Sequence, residues 1–242
     1  MSETLPQKKV LMIVANPATS PVTGWPVGFW WAELSHPYWV FSEAGYEIEI
    51  VSPAGGDLVA DTLSDPKDES GYASDDLISL GFKTSKKHAP LLLGTKSLGE
   101  IDPRAYDAIF VAGGQSPMIT MIDDTKLHAS IASVYEAGKI VALVCHGTCN
   151  LLKVRLSNGE FLAKGKTWTG FANSEEAYVD TWVGQKVQPF WIEEEAKKME
   201  DTNFITSAMF KPFAVRDGAL ITGQQQASGA AAAELVVDAL GH

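Results

Sequence analysis

The segment from Lys139 to Leu152 (KIVALVCHGTCNLL) constrains this chain more than any other. It opens as a short β-branched apolar run, the pattern of a strand buried on both faces. It breaks at Cys145-His146-Gly147 and resumes with helix-compatible spacing at Leu151 and Leu152. A cysteine at a sharp strand-to-helix turn is held clear of the sheet, beneath the amide N–H groups that open the helix. Those donors and the helix dipole favour thiolate over thiol, and the same turn presents serine in hydrolases. Cys145 is therefore expected to be a reactive, ionised cysteine.

The flanking chain supplies the scaffold for such a turn. Lys8–Ala15, Tyr46–Val51 and Tyr106–Ala112 read as further buried strands. Lys126–Ala137 reads as a helix stopped by Gly138 and leading into the Cys145 strand. Strand–helix alternation of this kind predicts an α/β fold: a flavodoxin-like three-layer sandwich with a mainly parallel central sheet and the cysteine at its elbow. Later segments read as a turn at Asn158-Gly159, a short strand over Lys166–Thr169 and an N-cap at Asn173-Ser174-Glu175-Glu176. A charged helix over Glu193–Glu200, strands at Phe213–Val215 and Ala219–Thr222, and an alanine-rich helix over Ala227–Leu240 complete the chain. Residues 52–100 carry weak periodicity and read as a long excursion with a short helix or two. With no internal repeat or linker, residues 1–242 are expected to form a single domain with insertions at about 55–100 and 155–215.

Composition excludes several functions. The net charge of -11 argues against nucleic acid and against anionic membrane surfaces. No apolar run approaches the roughly 20 residues that span a bilayer, and the N-terminal residues lack the pattern of a signal peptide. Two cysteines four positions apart make no disulfide framework, so a reducing cytoplasm is expected.

Three features carry candidate chemistry. His146 beside Cys145 could swing next to the thiol at a turn and act as its base. Glu33 lies within an aromatic-dense segment, Trp25–Phe41, where Trp30, Leu34 and Phe41 can share one helical face. Spacing alone favours a solvated polar face for Glu33, because carboxylates are seldom buried unpartnered. Gly113-Gly114, after the third strand, is either a tight turn or a place where backbone approaches a ligand. Cys149, one helical turn from Cys145, reads as a packing residue, with a resolving thiol as the alternative. Cys145, His146, Cys149 and His36 have no recognised ligand spacing, so no metal is expected.

The segment Ala142-Leu143-Val144-Cys145-His146-Gly147 resembles the nucleophile turn of the ThiJ/PfpI superfamily, within the class I glutamine amidotransferase-like fold. Other matches fall in order: Glu33-Leu34-Ser35-His36-Pro37-Tyr38, Ser52-Pro53-Ala54-Gly55-Gly56, Tyr106-Asp107-Ala108-Ile109 with Gly113-Gly114, Gly165-Lys166 with Thr169-Gly170-Phe171 and Glu176, and Leu220-Ile221-Thr222-Gly223-Gln224. The later motifs are those of the glyoxalase III-like and heat-shock-chaperone branch. The resemblance implies Cys145 as nucleophile, His146 as base, Glu176 as the acid orienting His146, and Glu33 as a carboxylic acid against the thiol. Glu175 is the alternative to Glu176. The amides of Gly114 and His146 would form an oxyanion site, with Gln115, Trp30 and Trp168 lining the pocket.

Two departures from the family pattern bear on substrate. Gln115-Ser116 stands where the branch usually has His-Gly, and Thr148-Cys149 where it tends to have proline and alanine. The expected activity is conversion of a 2-oxoaldehyde such as methylglyoxal to a 2-hydroxy acid, without cofactor, by a homodimer. Alternatives are an amidase, peptidase or isonitrile-hydratase-like activity on the same triad, or a stress-response holdase or cysteine redox sensor.

Overall fold

The computed structural model describes residues 7–241. In chain order the strands are β1 (Lys9–Ile13), β2 (Ala18–Thr19), β3 (Pro26–Val27), β4 (Glu47–Ser52), β5 (Lys96–Ser97), β6 (Ala108–Val111), β7 (Ile140–Val144), β8 (Thr167–Trp168), β9 (Asn203–Phe204), β10 (Ala214–Asp217) and β11 (Leu220–Gly223). The helices are α1 (Trp31–Glu43), α2 (Leu77–Thr84), α3 (Pro117–Thr120), α4 (Thr125–Glu136), α5 (Asn173–Val183), α6 (Ile192–Ala196) and α7 (Gly229–Leu240). Seven strands form one sheet in the order β10-β11-β7-β6-β1-β4-β5. Every neighbouring pair is parallel except the edge hairpin β10–β11. The α/β architecture expected from the strand–helix alternation is the one observed.

The apolar runs explain the layering. Side chains alternate across a strand, so Leu11 and Ile13 of β1 enter one core while Val10 and Met12 enter the other. The first core also holds Leu127 and Ile131 of α4. The second holds Leu34 and Phe41 of α1 with Ala232, Ala233 and Val236 of α7. Both faces of β1, β6 and β7 are thereby covered, which is why these strands read as continuous apolar runs rather than alternating ones.

From β1 the chain runs outward through β4 and β5, then returns to place β6 on the other flank of β1. This reversal opens a crevice at the carboxyl ends of β1 and β6, the usual ligand position in open α/β sheets. The loops following β1, β6 and β7 meet there.

Several local expectations need correction. The charged helix read over Glu193–Glu200 is the shorter α6, Ile192–Ala196, anchored in the core by Ile192 and Ala196. Asn173 is the first residue of α5 rather than its cap; Ala172 occupies the cap position, and its N–H donates to Glu175 Oε2 at 3.0 Å. Trp30 stands just before α1 instead of on its buried face, and Trp39 projects into solvent. The excursion over residues 52–100 supplies an edge strand, β5, as well as α2.

Phe110, in the middle of β6, is fully buried, whereas Trp39 is 52% exposed. Phe110→Ala is expected to lower unfolding free energy by about 3–5 kcal/mol, and Trp39→Ala by less than about 1 kcal/mol. Urea titrations followed by circular dichroism separate the two.

Candidate active site

β7 ends at Val144 in extended geometry, and an irregular 3-10 helix runs from Cys145 to Leu152. The turn between them is sharp enough that Cys145 takes φ 53°. A non-glycine residue in that region costs about 1–3 kcal/mol and persists only where its surroundings fix it. Here the Thr148 hydroxyl donates to the Cys145 carbonyl at 2.6 Å. Gly147 packs against β6 so tightly that a Cβ would lie 2.8 Å from the Ala112 carbonyl oxygen. Thr148, one of the departures from the family pattern, thus acts as a local brace. Its neighbour Cys149 is buried and faces the Pro117 carbonyl at 3.6 Å, and burial pushes its thiol far above the usual range. That environment is the packing role read from the sequence.

Cys145 Sγ lies 3.6 Å from His146 Nδ1, and His146 Nε2 lies 3.1 Å from Glu176 Oε1. The ring of Phe171 stacks on the imidazole at 4.3 Å between centroids. All three polar residues are buried. Glu176 sits in the first turn of α5, which aims it at His146. Glu175 points elsewhere: its Oε1 accepts from the Phe210 N–H at 2.8 Å and from Gln224 Nε2 at 3.0 Å. With its other oxygen on Ala172, Glu175 is fully committed to holding the loops around α5, which leaves Glu176 as the carboxyl facing His146.

Glu33, in the first turn of α1, is completely buried. The solvated reading that spacing favoured is overturned. Its Oε2 accepts from the Gly113 N–H at 2.7 Å, while Oε1 is buried without a hydrogen-bond partner among the described residues. The carboxyl faces the Cys145 thiol. Gly113 lies between the two: a Cβ there would come within 2.2 Å of Glu33 Oε2 and 2.8 Å of Cys145 Cβ. The next residue, Gly114, has φ +101°, and a Cβ would meet the Gly28 carbonyl oxygen at 2.5 Å. These glycines are therefore required by close approach, beyond forming a turn.

Burial dominates the electrostatics. Loss of solvation pushes the Glu33 carboxyl up to about 8, against the opposing contacts from Cys145 and Gly113. The same burial pushes the Cys145 thiol well up, the Glu33 carboxyl adds to that, and the His146 N–H opposes it without prevailing. Glu176 is also raised by burial, with His146 pulling the other way. This direction runs against the thiolate expected from the turn alone. The backbone donor of His146 is present, but burial acts on the thiol in the opposite direction.

One buried carboxyl escaped the sequence reading. Asp61 accepts from the Gly28 N–H at 2.8 Å through Oδ1 and from the Gln115 N–H at 2.7 Å through Oδ2. It ties the loop after β1 to the loop after β6, and burial raises it to about 7 despite those two donors. It lies in the weakly periodic stretch 52–100, where nothing distinguishes it from other loop acids.

Cys145, His146 and Glu176 open onto a cavity of about 270 Å³ that Gly114, Gln115 and Trp30 also line. Trp168 does not reach it. That indole is fully buried beyond the site, donating from Nε1 to Thr202 Oγ1 at 2.8 Å and meeting Phe204 edge-on. Adjacency to a motif placed Trp168 in the pocket, but the alternation of β8 turns it into the core. His36 instead contacts Asp76 at 2.8 Å. Among the described residues no cluster of three or more metal-ligating side chains occurs, and no helix is long and apolar enough to cross a membrane.

Residues 27–238 match the DJ-1/PfpI family. The chain belongs to that family. It is 30% identical over 235 residues to a probable glutathione-independent glyoxalase of Schizosaccharomyces pombe, covering 88% of this chain and 90% of the relative. It is 28% identical over 240 residues to glyoxalase 3 of Candida albicans, covering 96% and 98% respectively. The crystal structure of glyoxalase III from that yeast has a TM-score of 0.77 at 26% identity, over 96% of this chain and 97% of that one. The X-ray structure of the rapid encystment protein 24 kDa of Francisella tularensis has a TM-score of 0.85 at 25% identity, covering 98% of this chain and 100% of that one.

The raised Glu33 has a consequence for stability. Its folded value of about 8 lies above the ordinary carboxyl value of 4.5, so the folded state holds a proton that the unfolded chain releases between these limits. The associated stability is complete below about pH 4.5 and is lost as pH rises through about 8. Glu33→Gln, which keeps a neutral group at the site, is expected to flatten the fall in melting temperature between pH 5 and 8. Parallel slopes for the two proteins would contradict the assignment.

Proposed function

We propose that this protein is a cofactor-independent, glutathione-independent glyoxalase that converts 2-oxoaldehydes to 2-hydroxy acids. The observation that carries the reading is the relay Cys145–His146–Glu176, at 3.6 and 3.1 Å, with the buried Glu33 carboxyl, raised to about 8, beside the thiol. The glyoxalase names borne by relatives aligned over most of the chain support it.

In this scheme Cys145 adds to the aldehyde carbon. The S–C bond forms as His146 takes the thiol proton, and that proton passes to the aldehyde oxygen to give a hemithioacetal. A base then removes hydrogen as a proton from that carbon, and a proton is returned to the adjacent former ketone carbon. The aldehyde carbon is oxidised to a thioester as its neighbour is reduced to an alcohol, so no external oxidant or reductant enters. Water cleaves the thioester, releasing the 2-hydroxy acid and restoring the thiol. Glu176 holds and charge-stabilises the imidazole. Glu33, protonated at neutral pH, is the second proton-carrying group at the sulfur. The Gly114 and His146 amides are assigned to the developing oxyanion.

The neutral resting thiol fits this chemistry. A 2-oxoaldehyde is a strong electrophile, and deprotonation concerted with attack avoids maintaining a thiolate in a dry site. A homodimer and a cytoplasmic setting belong to the proposal through the family resemblance, and sedimentation velocity on the purified protein tests the former.

Purified Cys145→Ser protein is expected to form no measurable lactate from methylglyoxal while retaining wild-type circular dichroism. Glu176→Gln is expected to lower kcat by on the order of 10²–10⁴. Lactate formation by Cys145→Ser at the wild-type rate would sink the scheme. Turnover of amides or isonitriles in place of 2-oxoaldehydes would assign the same triad to hydrolysis.

A further inference from the structure

The residues that form the chemical end of the cavity occupy a small part of its wall. Much of the remainder is aromatic, with Trp25, Trp30, Tyr72, Tyr178, Trp182 and Phe210 sharing the wall with aliphatic side chains and with Gln188 and Gln226. They pair edge-on, Trp30 with Tyr72 at 6.0 Å and Tyr178 with Phe210 at 5.4 Å. Trp25, Tyr72, Tyr178 and Trp182 are 41%, 55%, 52% and 59% exposed, so an apolar rim surrounds the mouth. Single exposed aromatics are ordinary, but a group of them around one opening marks a binding surface.

The placement on α5 is specific. Glu176, Val179 and Val183 follow one another at helical spacing on the wall, and Tyr178 and Trp182, four residues apart, form the adjacent stripe. The helix that orients His146 therefore also carries half of the rim. A substituent extending from a carbonyl held at Cys145 must run along these rings.

Size and charge narrow the ligand. A three-carbon 2-oxoaldehyde displaces three or four waters, on the order of 100 Å³ at ~30 Å³ each, against a cavity of about 270 Å³. Among the described residues no lysine or arginine lines the cavity, and its carboxyl is Glu176. A phosphate or carboxylate on the substrate would be desolvated with no counter-charge, whereas an uncharged ring would meet edges and faces of aromatic side chains.

We infer that the aromatic rim selects 2-oxoaldehydes bearing an uncharged aryl or bulky apolar substituent over the three-carbon compound. This rests on the glyoxalase reading and adds the substrate class to it. Trp182 and Trp25 are the specificity-determining residues, because both are large, partly exposed and separate from the proton relay.

The test compares kcat/KM for phenylglyoxal and methylglyoxal in wild type, Trp182→Ala and Trp25→Ala. Wild type is expected to favour phenylglyoxal by about 10- to 100-fold, the range set by one to a few apolar groups in a fitted pocket. Each variant is expected to reduce that ratio at least about fivefold. Intrinsic reactivity of the aryl aldehyde would raise the wild-type ratio but would leave it unchanged in the variants, so an unchanged ratio overturns the inference. A second readout avoids chemistry: calorimetric binding of 1-phenyl-1,2-ethanediol and 1,2-propanediol, both uncharged and unreactive. The phenyl diol is expected to bind at least about tenfold more tightly, and less so in Trp182→Ala. Equal binding of the two diols overturns the inference even if methylglyoxal is turned over. Preference for the phenyl diol without turnover of either aldehyde overturns the glyoxalase reading instead, and with it the substrate assignment, leaving only an aromatic-binding site.

Discussion

The site depends on one contact: the Glu33 carboxyl packed against Gly113 and Cys145. A helix from one side of the sheet, the loop after β6 and the turn after β7 converge there, and there is no space for a side chain at residue 113. The Gly113 N–H fixes one carboxyl oxygen at 2.7 Å, and the carboxyl lies against the thiol. Because the contact is dry, it sets the protonation of the whole centre. Glu33 keeps its proton to about pH 8, and Cys145 keeps its own. A solvated Glu33 would be ionised at neutral pH and would repel a developing thiolate.

The same contact marks where sequence reading succeeds and where it stops. β1, β6 and β7 are visible as apolar runs because both their faces are buried, so period and hydrophobicity agree. The turn at Cys145 is visible because a strand pattern breaks at Cys-His-Gly. Glu33 is not visible from spacing: on α1 it falls among tryptophans, and its burial depends on Gly113, eighty residues away. The family resemblance placed it correctly where periodicity did not. Trp168 shows the opposite error, since adjacency to a motif cannot say which way a two-residue strand turns its side chain. Asp61 and the rim residues Tyr178, Trp182 and Phe210 carry no local signature, because their positions depend on how the loops of residues 52–100 and 155–215 fold over the sheet edge. An aromatic pair at i, i+4 following Glu176 was the one available clue for α5.

Burial acts against the thiolate expected from the turn. A turn and a few amides lower a cysteine's pKa where solvent or a cation shares the task. Here the nearest groups are a neutral acid and an imidazole held by its own carboxylate, and Phe171 stacks over the ring. Desolvation then outweighs the single donor. Burial of Cys145 and Glu33 together sets a thiol and a raised carboxyl against one another in a medium of low dielectric.

This arrangement connects the electrostatics to the aromatic mouth. Cys145, His146 and Glu176 line the same cavity as the partly exposed rings of Trp25, Tyr72, Tyr178 and Trp182. Their exposure when no ligand is present leaves apolar surface open to solvent, and an uncharged substituent that covers it gains the energy of burying that surface, roughly 25 cal/mol per Å². An anionic substituent would lose solvation at the same surface and meet Glu176 at its end. Among the described residues no lysine or arginine lines the cavity wall, so the chemical end and the entrance favour the same uncharged class of molecule.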